Sequence, residues 1–196
     1  MEQPSGIRER KKIERRQLIE ESALALFETN GFAATTIEDI ATSADIAPRT
    51  FFSYFATKED VVLADYAARL QRITSELEQR PADEAPWEAL RAAFMVVASD
   101  YQRQRQDLIR RFTIMATTPS VQARNLQLQA GWEDTLAQSL ARRMGDAPGQ
   151  VDPRLLAGAA LAGMRASLHQ WFATGHRSPL PTILSEAFDQ LGRGLA

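Results

Sequence analysis

The fold is decided by residues 35–60, which read TTIEDIATSADIAPRTFFSYFATKED. Near the start of this segment, Thr35 with Glu38 and Thr36 with Asp39 both have the spacing of a capping box, in which side chains satisfy the first free amides of a helix. Apolar side chains then follow at helical spacing. The segment therefore predicts a short helix that begins at one of these two threonines.

A tight turn and a second short helix are predicted next. The turn falls at residues 43–45, where Asp45 belongs to the few residue types besides glycine that tolerate a left-handed conformation. Pro48 suits the first position of a helix because its missing N–H costs nothing there. Two short helices joined by a tight turn, after a long basic helix, are typical of a helix-turn-helix, whose second short helix enters the major groove of DNA.

The two short helices are expected to have an inner and an outer face. The inner face is predicted to consist of Ile37, Ile40, Ala41, Ile46, Phe51 and Phe55. On the outer face Arg49 is the principal candidate for reading a base, since arginine bonds guanine with two donors and base contacts concentrate in the first turn of a recognition helix. Thr36, Tyr54 and Lys58 suit phosphates better. For Phe52 and Tyr54 the pattern leaves both DNA contact and plain packing open. The DNA-binding candidates are Arg8, Arg10, Lys11, Thr36, Pro48, Arg49, Thr50, Phe52, Ser53, Tyr54 and Lys58.

The charge distribution adds to this prediction. The chain has 23 Lys and Arg against 25 Asp and Glu, so its formal net charge of -2 indicates no particular partner. Within residues 8–16, however, six basic residues stand against two acidic ones. Such a local excess suits DNA phosphates, although a solvated helix face with i,i+4 ion pairs has the same composition.

Composition also limits the class of protein. The sequence has no cysteine, which excludes disulfides, thiolate metal sites and cysteine nucleophiles and fits a reducing compartment. We expect neither secretion nor membrane insertion, because no signal peptide and no apolar stretch of about 18 residues is recognisable. The expected location is the cytoplasm.

The whole chain reads as all-α, because no stretch alternates β-branched and polar residues. The predicted helices cover residues 7–29, 36–42, 48–55, 58–79, 87–103, 106–117, 120–144, 153–175 and 181–191. Asn30-Gly31 is predicted to end the first helix in a left-handed stop. The chain is accordingly divided into a DNA-binding helix-turn-helix domain (1–57), a connecting helix (58–79) and a helical ligand-binding and dimerisation domain (86–196).

The runs TTIEDIA (residues 35–41) and PRTFFSYFATKED (residues 48–60), with Phe27 and Asn30-Gly31-Phe32 upstream, resemble the DNA-binding domain of TetR-family regulators. The resemblance covers about residues 10–63. It implies a dimeric, usually autoregulatory repressor with one helix-turn-helix per subunit. It also implies that a ligand in the C-terminal domain releases the protein from its operator.

Two residues depart from the family pattern. The family often has glycine where this chain has Asp45, and serine or threonine where it has Ala47. The cap of the recognition helix is therefore expected to come from Asp45 or to be weaker, which affects the orientation of Arg49 and leaves the fold unchanged.

The C-terminal region carries no arrangement typical of catalysis. It has no glycine-rich phosphate loop and no metal-ligand spacing, and its histidines are His169 and His176. We therefore predict that the protein is not an enzyme and has no cofactor or metal.

Large apolar side chains recur at helical spacing in the C-terminal region. Most of them are expected in the core, while some are expected to line a cavity for a small molecule. The ligand-binding candidates are Phe94, Tyr101, Phe112, Met115, Trp132, Met164, Arg165 and Leu168.

The helix predicted over residues 153–175 is rich in alanine and glycine, which allows helix axes to approach closely. The resemblance implies that the last two helices form a four-helix bundle with those of a second subunit. The candidates for this dimer interface are Leu155, Ala159, Ala162, Ala166, Leu184, Ala187, Phe188 and Leu191.

Together these features predict a ligand-responsive repressor that binds a palindromic operator in double-stranded DNA as a homodimer and is released by a small-molecule effector. The PRTFF and KED runs also resemble a subgroup of TetR-type regulators with an acyl-CoA-like ligand-binding domain. Two alternatives stay open: an activator of the same fold, and a helical protein-interaction module in which the helix-turn-helix is only a scaffold.

Overall fold

The computed structural model describes residues 4–145 and 151–195, and the regular elements in those ranges are all helices. They are α1 (Pro4–Asn30), α2 (Ile37–Ser43), α3 (Pro48–Phe51), α4 (Lys58–Val62), α5 (Tyr66–Gln79), α6 (Pro86–Arg103), α7 (Arg105–Thr117), α8 (Pro119–Met144), α9 (Pro153–Ala173) and α10 (Leu180–Leu195). The predicted all-α fold is confirmed. The outermost residues of the predicted domains, 1–3 and 196, lie outside the described residues.

The predicted end of the first helix is confirmed. Gly31 has a φ of +85°, and its amide donates to the carbonyl of Phe27 at 3.0 Å. A left-handed residue just after a helix lets the chain satisfy the last carbonyls and turn away. Glycine takes this conformation at no steric cost.

One helix was predicted over residues 58–79, and the structure corrects this. The chain forms α4 and α5 with an interruption at residues 63–65, where Leu63 has φ -100° and ψ 20°. Nothing in the local sequence forces this break, since the segment contains neither glycine nor proline. Arginine side chains from elsewhere in the chain bond the carbonyls at the interruption, as described below.

The chain divides into two compact units. The first joins Met1–Ala64 to Asp107–Asn125, and the second joins Asp65–Gln106 to Leu126–Ala196. The first unit therefore contains the predicted helix-turn-helix and also most of α7 and the start of α8. This division differs from the continuous one proposed from the sequence.

The first unit has its core between α1 and the short helices α2, α3 and α4. The fully or almost fully buried apolar side chains there include Ile19, Leu24, Phe27, Ile40, Ala41, Phe51, Phe55 and Val61. Of the predicted inner face, Ile37 and Ile46 are half-buried. The inner face is thus essentially the one that helical periodicity predicts.

In the second unit α10 packs against α6 and α9, and α5 packs against α6. Trp87 stacks on Phe188 with ring centroids 4.9 Å apart, and its indole N–H donates to the carbonyl of Phe188 at 3.3 Å. The approach is close at Gly192, where an added Cβ would lie 2.7 Å from Nε1 of Trp87. A side chain at position 192 would therefore have to displace Trp87. In the described ranges, every helix is too short or too polar to cross a bilayer.

Candidate nucleic-acid interface

Helix α2 begins at a reciprocal cap. The hydroxyl of Thr36 accepts from the amide of Asp39 at 3.1 Å, and the amide of Thr36 donates to the Asp39 carboxylate at 2.9 Å. The Thr36 hydroxyl also donates to that carboxylate at 2.7 Å, and this bond, followed by the amide bond, lowers the pKa of Asp39. Of the two capping boxes that the sequence allows, the structure uses this one. Thr35 is fully buried, and its hydroxyl donates to the carbonyl of Gly31 at 2.9 Å.

The turn after α2 takes the predicted left-handed form at Asp45, with a φ of +51°. Pro48 then occupies the first position of α3, as predicted. The N-cap residue of α3 is Ala47, which has no side-chain oxygen with which to cap. Helix α3 ends at Phe51, so the predicted extension to residue 55 is instead a turn over residues 52–54.

Four of the six predicted DNA-facing residues of α3 and its following turn are exposed. Pro48, Arg49, Phe52 and Ser53 are exposed, and Phe52 keeps 57% of its surface accessible. Thr50 and Tyr54 are half-buried. Since Phe51 is fully buried, the motif keeps the predicted division between a packing side and an outer side.

The other predicted DNA contacts fall in two different surroundings. Arg8, Arg10 and Lys11 are exposed on the N-terminal turns of α1, and Thr36 is exposed at the start of α2. Lys58, by contrast, is half-buried. Its ammonium donates to the carbonyls of Phe32 at 3.0 Å and Thr35 at 2.5 Å and lies 4.8 Å from the centre of the Phe32 ring. The bonds of Lys58 hold the loop before α2.

Sequence reasoning missed an arginine network inside the first unit. Arg111 of α7 is only 8% exposed, and its guanidinium donates to the carbonyls of Val61 at 2.8 Å and Val62 at 3.3 Å. It also bonds Glu20 at 3.0 Å and Asp107 at 2.8 Å. A buried arginine that uses its nitrogens on carbonyls and carboxylates is fully compensated. Because Arg111 lies far along the chain from α1 and α4, no local pattern could have indicated this role.

Arg16 of α1 extends the network to residues 48–54, which comprise α3 and the turn after it and are called the recognition segment below. It bonds Glu20 at 3.1 Å, and its two terminal nitrogens donate to the carbonyls of Tyr54 and Ala64, each at 3.3 Å. The guanidinium lies 4.4 Å from the centre of the Phe55 ring. One side chain thus joins the end of the recognition segment to the interruption after α4.

The ligand-binding candidates belong to both units. Phe112 and Met115 are half-buried residues of the first unit. In the second unit Phe94, Tyr101, Trp132 and Met164 are buried, Leu168 is half-buried and Arg165 is exposed. Arg165 donates to the side chain of Gln129 at 3.2 Å. Most of these side chains are therefore accounted for by packing in the interior of their unit.

A polar-aromatic cluster lies within the second unit. Arg69 bonds the hydroxyl of Tyr101 and the carboxylate of Asp65, each at 2.8 Å, and Tyr66 lies 4.8 Å from Trp132 between ring centres. Burial raises the pKa of Tyr66 to about 12. Polar groups in an otherwise apolar interior are typical of sites that orient small molecules. Tyr66 and Arg69 were not among the sequence-based candidates.

The second unit also carries a surface cavity of about 500 Å³. It is lined by Trp87, Glu88, Phe188, Asp189, Gly192 and Arg193. None of the eight predicted ligand-binding residues lines this cavity.

The predicted dimer residues divide by exposure. Leu155 and Ala166 are exposed, and Ala159, Ala162, Ala187 and Leu191 are half-buried. Leu184 and Phe188 are fully buried within the subunit. The prediction is corrected for these two, because a side chain that already packs inside its own subunit has no surface left for a partner.

Comparison with known proteins gives two matched segments of the chain. Residues 19–64 match the family profile described as bacterial regulatory proteins, tetR family, and residues 84–196 match the MftR C-terminal domain. The second match alone covers more than half of the chain. The chain belongs to the TetR family. It is therefore a transcriptional regulator and not an enzyme.

Two relatives support the TetR assignment over most of their length. The chain is 33% identical over 195 residues to the HTH-type transcriptional regulator TcmR of Streptomyces glaucescens, covering 95% of this chain and 86% of TcmR. It is 29% identical over 177 residues to the mycofactocin biosynthesis transcriptional regulator MftR of Mycobacterium tuberculosis, covering 90% of this chain and 89% of MftR.

Solved TetR-type structures have the same fold. FadR of Thermus thermophilus, in complex with lauroyl-CoA, has a TM-score of 0.63 and 26% identity, covering 92% of this chain and 95% of FadR. The SmeT–triclosan complex has a TM-score of 0.65 and 22% identity, covering 90% of this chain and 88% of SmeT.

Proposed function

We propose that this TetR-family regulator is a repressor that binds a palindromic operator as a homodimer and leaves it when a small molecule binds. The observation that carries the proposal is the outer face of α3. There Arg49 and Ser53 are exposed directly after a capped α2. A short helix presented in this way fits the major groove, with its first turn nearest the base edges.

The basic turns of α1 support the same partner. Arg8, Arg10 and Lys11 are exposed, and exposed cations on one helix suit the phosphates of DNA. Phosphate contacts fix the orientation of a protein on DNA, while base contacts supply sequence preference. We assign the first role to α1 and the second to α3. A repressor of this kind acts in the cytoplasm, where the chromosome lies.

The proposed dimer uses the exposed side of α9. Leu155, Ala159, Ala162 and Ala166 form one stripe along that helix, and they are exposed or half-buried. Small residues in such a stripe allow a partner helix to approach closely. A twofold dimer would present two α3 helices, and its operator would consist of two half-sites about one helical turn or more apart.

The proposed effector is a small molecule that acts on the second unit. SmeT is described in complex with triclosan and FadR in complex with lauroyl-CoA, so these two proteins of the same fold take ligands of different size and polarity. In this chain we propose that Tyr66, Arg69, Tyr101 and Trp132 contribute to effector recognition, because they combine aromatic surface with buried polar groups. A ligand that binds one conformation better shifts the population toward it.

The decisive experiment selects binding sites for the full-length protein from random duplex DNA and measures affinity at several salt concentrations. We expect an enriched palindrome whose log affinity falls linearly with log salt concentration, with a slope of about -0.9 per neutralised phosphate. An absence of any enriched sequence would reject the proposal and favour a protein-interaction module.

The effector is tested with the same selected site. Triclosan and lauroyl-CoA serve as probes, and release of the labelled duplex by either identifies the ligand class. A reporter gene placed behind the selected site separates repression from activation, since a repressor lowers expression when the protein is present.

A further inference from the structure

The interruption between α4 and α5 conflicts with the local sequence. The residues around it, LADYAARL at positions 63–70, are mostly good helix formers, and residues 58–79 contain neither glycine nor proline. Even so, the chain leaves the helix after Val62 and starts again at Tyr66. A conflict between local preference and tertiary structure is expected where a protein needs the less favourable local state.

Arg111 holds this interruption from the carbonyl side. Its Nη1 lies 2.8 Å from the oxygen of Val61 and 3.3 Å from that of Val62. In a continuous helix those two oxygens would accept the amides of Asp65 and Tyr66, and the next turn would occupy the space beyond them. The guanidinium therefore competes with continuation of the helix, and its positive charge suits the C-terminal end of α4.

The same network reaches the recognition segment. Glu20 is bonded by Arg111 at 3.0 Å and by Arg16 at 3.1 Å. Arg16 in turn donates to the carbonyls of Ala64 and Tyr54. Glu20, Arg16 and Arg111 thus connect the interruption to the end of the recognition segment.

We propose that Arg111 is a positioning residue for DNA binding, because it holds the α4–α5 interruption open and thereby fixes the recognition segment for the operator. The alternative state is one continuous helix over residues 58–79. In it the Val61 carbonyl accepts the amide of Asp65 in place of that of Ala64, which it accepts at 3.3 Å in the structure, and the Val62 carbonyl accepts the amide of Tyr66. The inference rests on the proposed DNA-binding function. It assigns the operator-binding state to the interrupted form.

The test is a mutant cycle in the full-length protein with the selected operator. Arg111→Met removes the guanidinium that competes with continuation of the helix, and we expect operator affinity to fall at least tenfold. Ala67 is exposed in the first turn of α5. Ala67→Pro blocks a continuous helix, because proline has no N–H and its ring clashes with the carbonyl four residues earlier. Ala67→Pro alone should bind within about twofold of wild type, and the double variant should recover to within about threefold.

Arg110→Gln is the matched control. Arg110 lies next to Arg111 on α7, but its nitrogens bond the carboxylates of Glu21 at 2.8 Å and Glu28 at 2.7 Å. We expect its loss to leave operator affinity within about twofold of wild type. If Arg110→Gln and Arg111→Met lose operator affinity equally, the proposal is wrong. The loss would then come from weaker packing of α7 in the first unit and not from the interruption.

Hydrogen exchange gives a readout that does not require DNA. Amides in the first turn of a helix lack intrahelical partners, so those of residues 66–68 should exchange quickly in wild type. They should be protected in Arg111→Met. In the double variant, where the proline at position 67 has no amide N–H, those of Tyr66 and Ala68 should exchange quickly again. Absent protection, or a weak operator affinity that Ala67→Pro does not restore, would overturn the proposal and leave Arg111 a purely structural residue.

Two further outcomes are distinguishable. If wild type binds no duplex specifically, the proposed function fails, and the exchange pattern still decides whether Arg111 controls the interruption. If Arg111→Met does not fold, as judged by circular dichroism, Arg111→Lys replaces it. Lysine keeps the charge but lacks the forked donors. We then expect a smaller loss of affinity and the same rescue by Ala67→Pro.

Discussion

Arg49 and Lys58 are both cations of the predicted DNA-binding surface, yet they have different surroundings. Arg49 is exposed in α3, whereas Lys58 bonds two carbonyls of the preceding loop. Helical periodicity distinguished outer from inner positions correctly. It did not predict the bonds of Lys58, because they join residues 26 and 23 positions apart in the sequence.

The first residue-level prediction concerns Arg49. Arg49→Ala should weaken operator binding by about 1–3 kcal/mol and relax the preference at one base pair. Thermal stability should stay within about 0.5 kcal/mol, since the side chain is exposed. A titration of the selected operator measures this, with exposed Arg177→Ala of the second unit as the control. Equal binding by Arg49→Ala and wild type would contradict the assignment of Arg49 as the reader.

For Lys58 we expect the reverse of Arg49, a loss of stability without the loss of a DNA contact. Lys58→Met should lower the free energy of unfolding by about 1–3 kcal/mol, because the carbonyls of Phe32 and Thr35 lose a charged donor. At temperatures where the variant is folded, the salt dependence of operator binding should be unchanged. Denaturant unfolding and a salt series measure the two effects. A salt slope reduced by about one phosphate would show that Lys58 contacts DNA after all.

A pH effect follows from the α2 cap. The bonds from Thr36 hold the pKa of Asp39 below its ordinary value of 3.8. Because the folded-state pKa is the lower one, this stabilisation is present above the unfolded value and is lost as pH falls through the folded value. Thr36→Val should return the pKa toward 3.8. Carboxyl chemical shifts titrated by NMR would measure it, and an unchanged midpoint would contradict the role of Thr36.

At the scale of elements, capping and turn residues were the most predictable features. The stop at Gly31, the left-handed turn at Asp45 and the helix start at Pro48 all depend on neighbouring residues, so sequence was sufficient to predict them. The α4–α5 interruption was not predictable, because the side chains that bond its carbonyls come from distant positions, as in the bond from Arg111 to Val61, which spans 50 positions. Long-range side-chain bonds of this kind leave no local pattern.

Helix α10 supplies an element-level prediction. Gly192→Ala should destabilise the protein by about 1–3 kcal/mol, because the new methyl would lie 2.7 Å from Nε1 of Trp87 and must displace packed rings. Gly194→Ala on the same helix is the control. Nothing lies within 4 Å of its added Cβ, so helix propensity should make it neutral or slightly stabilising. Thermal unfolding compares the two, and equal melting temperatures would contradict the close approach.

The prediction for the whole molecule concerns the proposed dimer. Leu155→Glu should shift the protein toward monomers and weaken operator binding, since it places a charge in the stripe on α9. Leu126→Glu is the matched control, because Leu126 is 62% exposed on α8 and Leu155 is 55% exposed on α9. Sedimentation velocity distinguishes the species. A Leu155→Glu variant that stays dimeric would place the dimer interface elsewhere.

The discontinuous first unit has a consequence for how the protein is made. Arg110, Arg111 and Arg124, which bond α1 and α4, belong to the returning segment Asp107–Asn125. Domains generally form as units during synthesis from the N-terminus. A ribosome that has finished the helix-turn-helix must therefore still translate residues 65–125 before that unit has all its parts. A nascent or prematurely terminated chain would carry the proposed DNA-reading residues without the arginines that bond α1 and α4, and we expect it to compete poorly for the proposed operator.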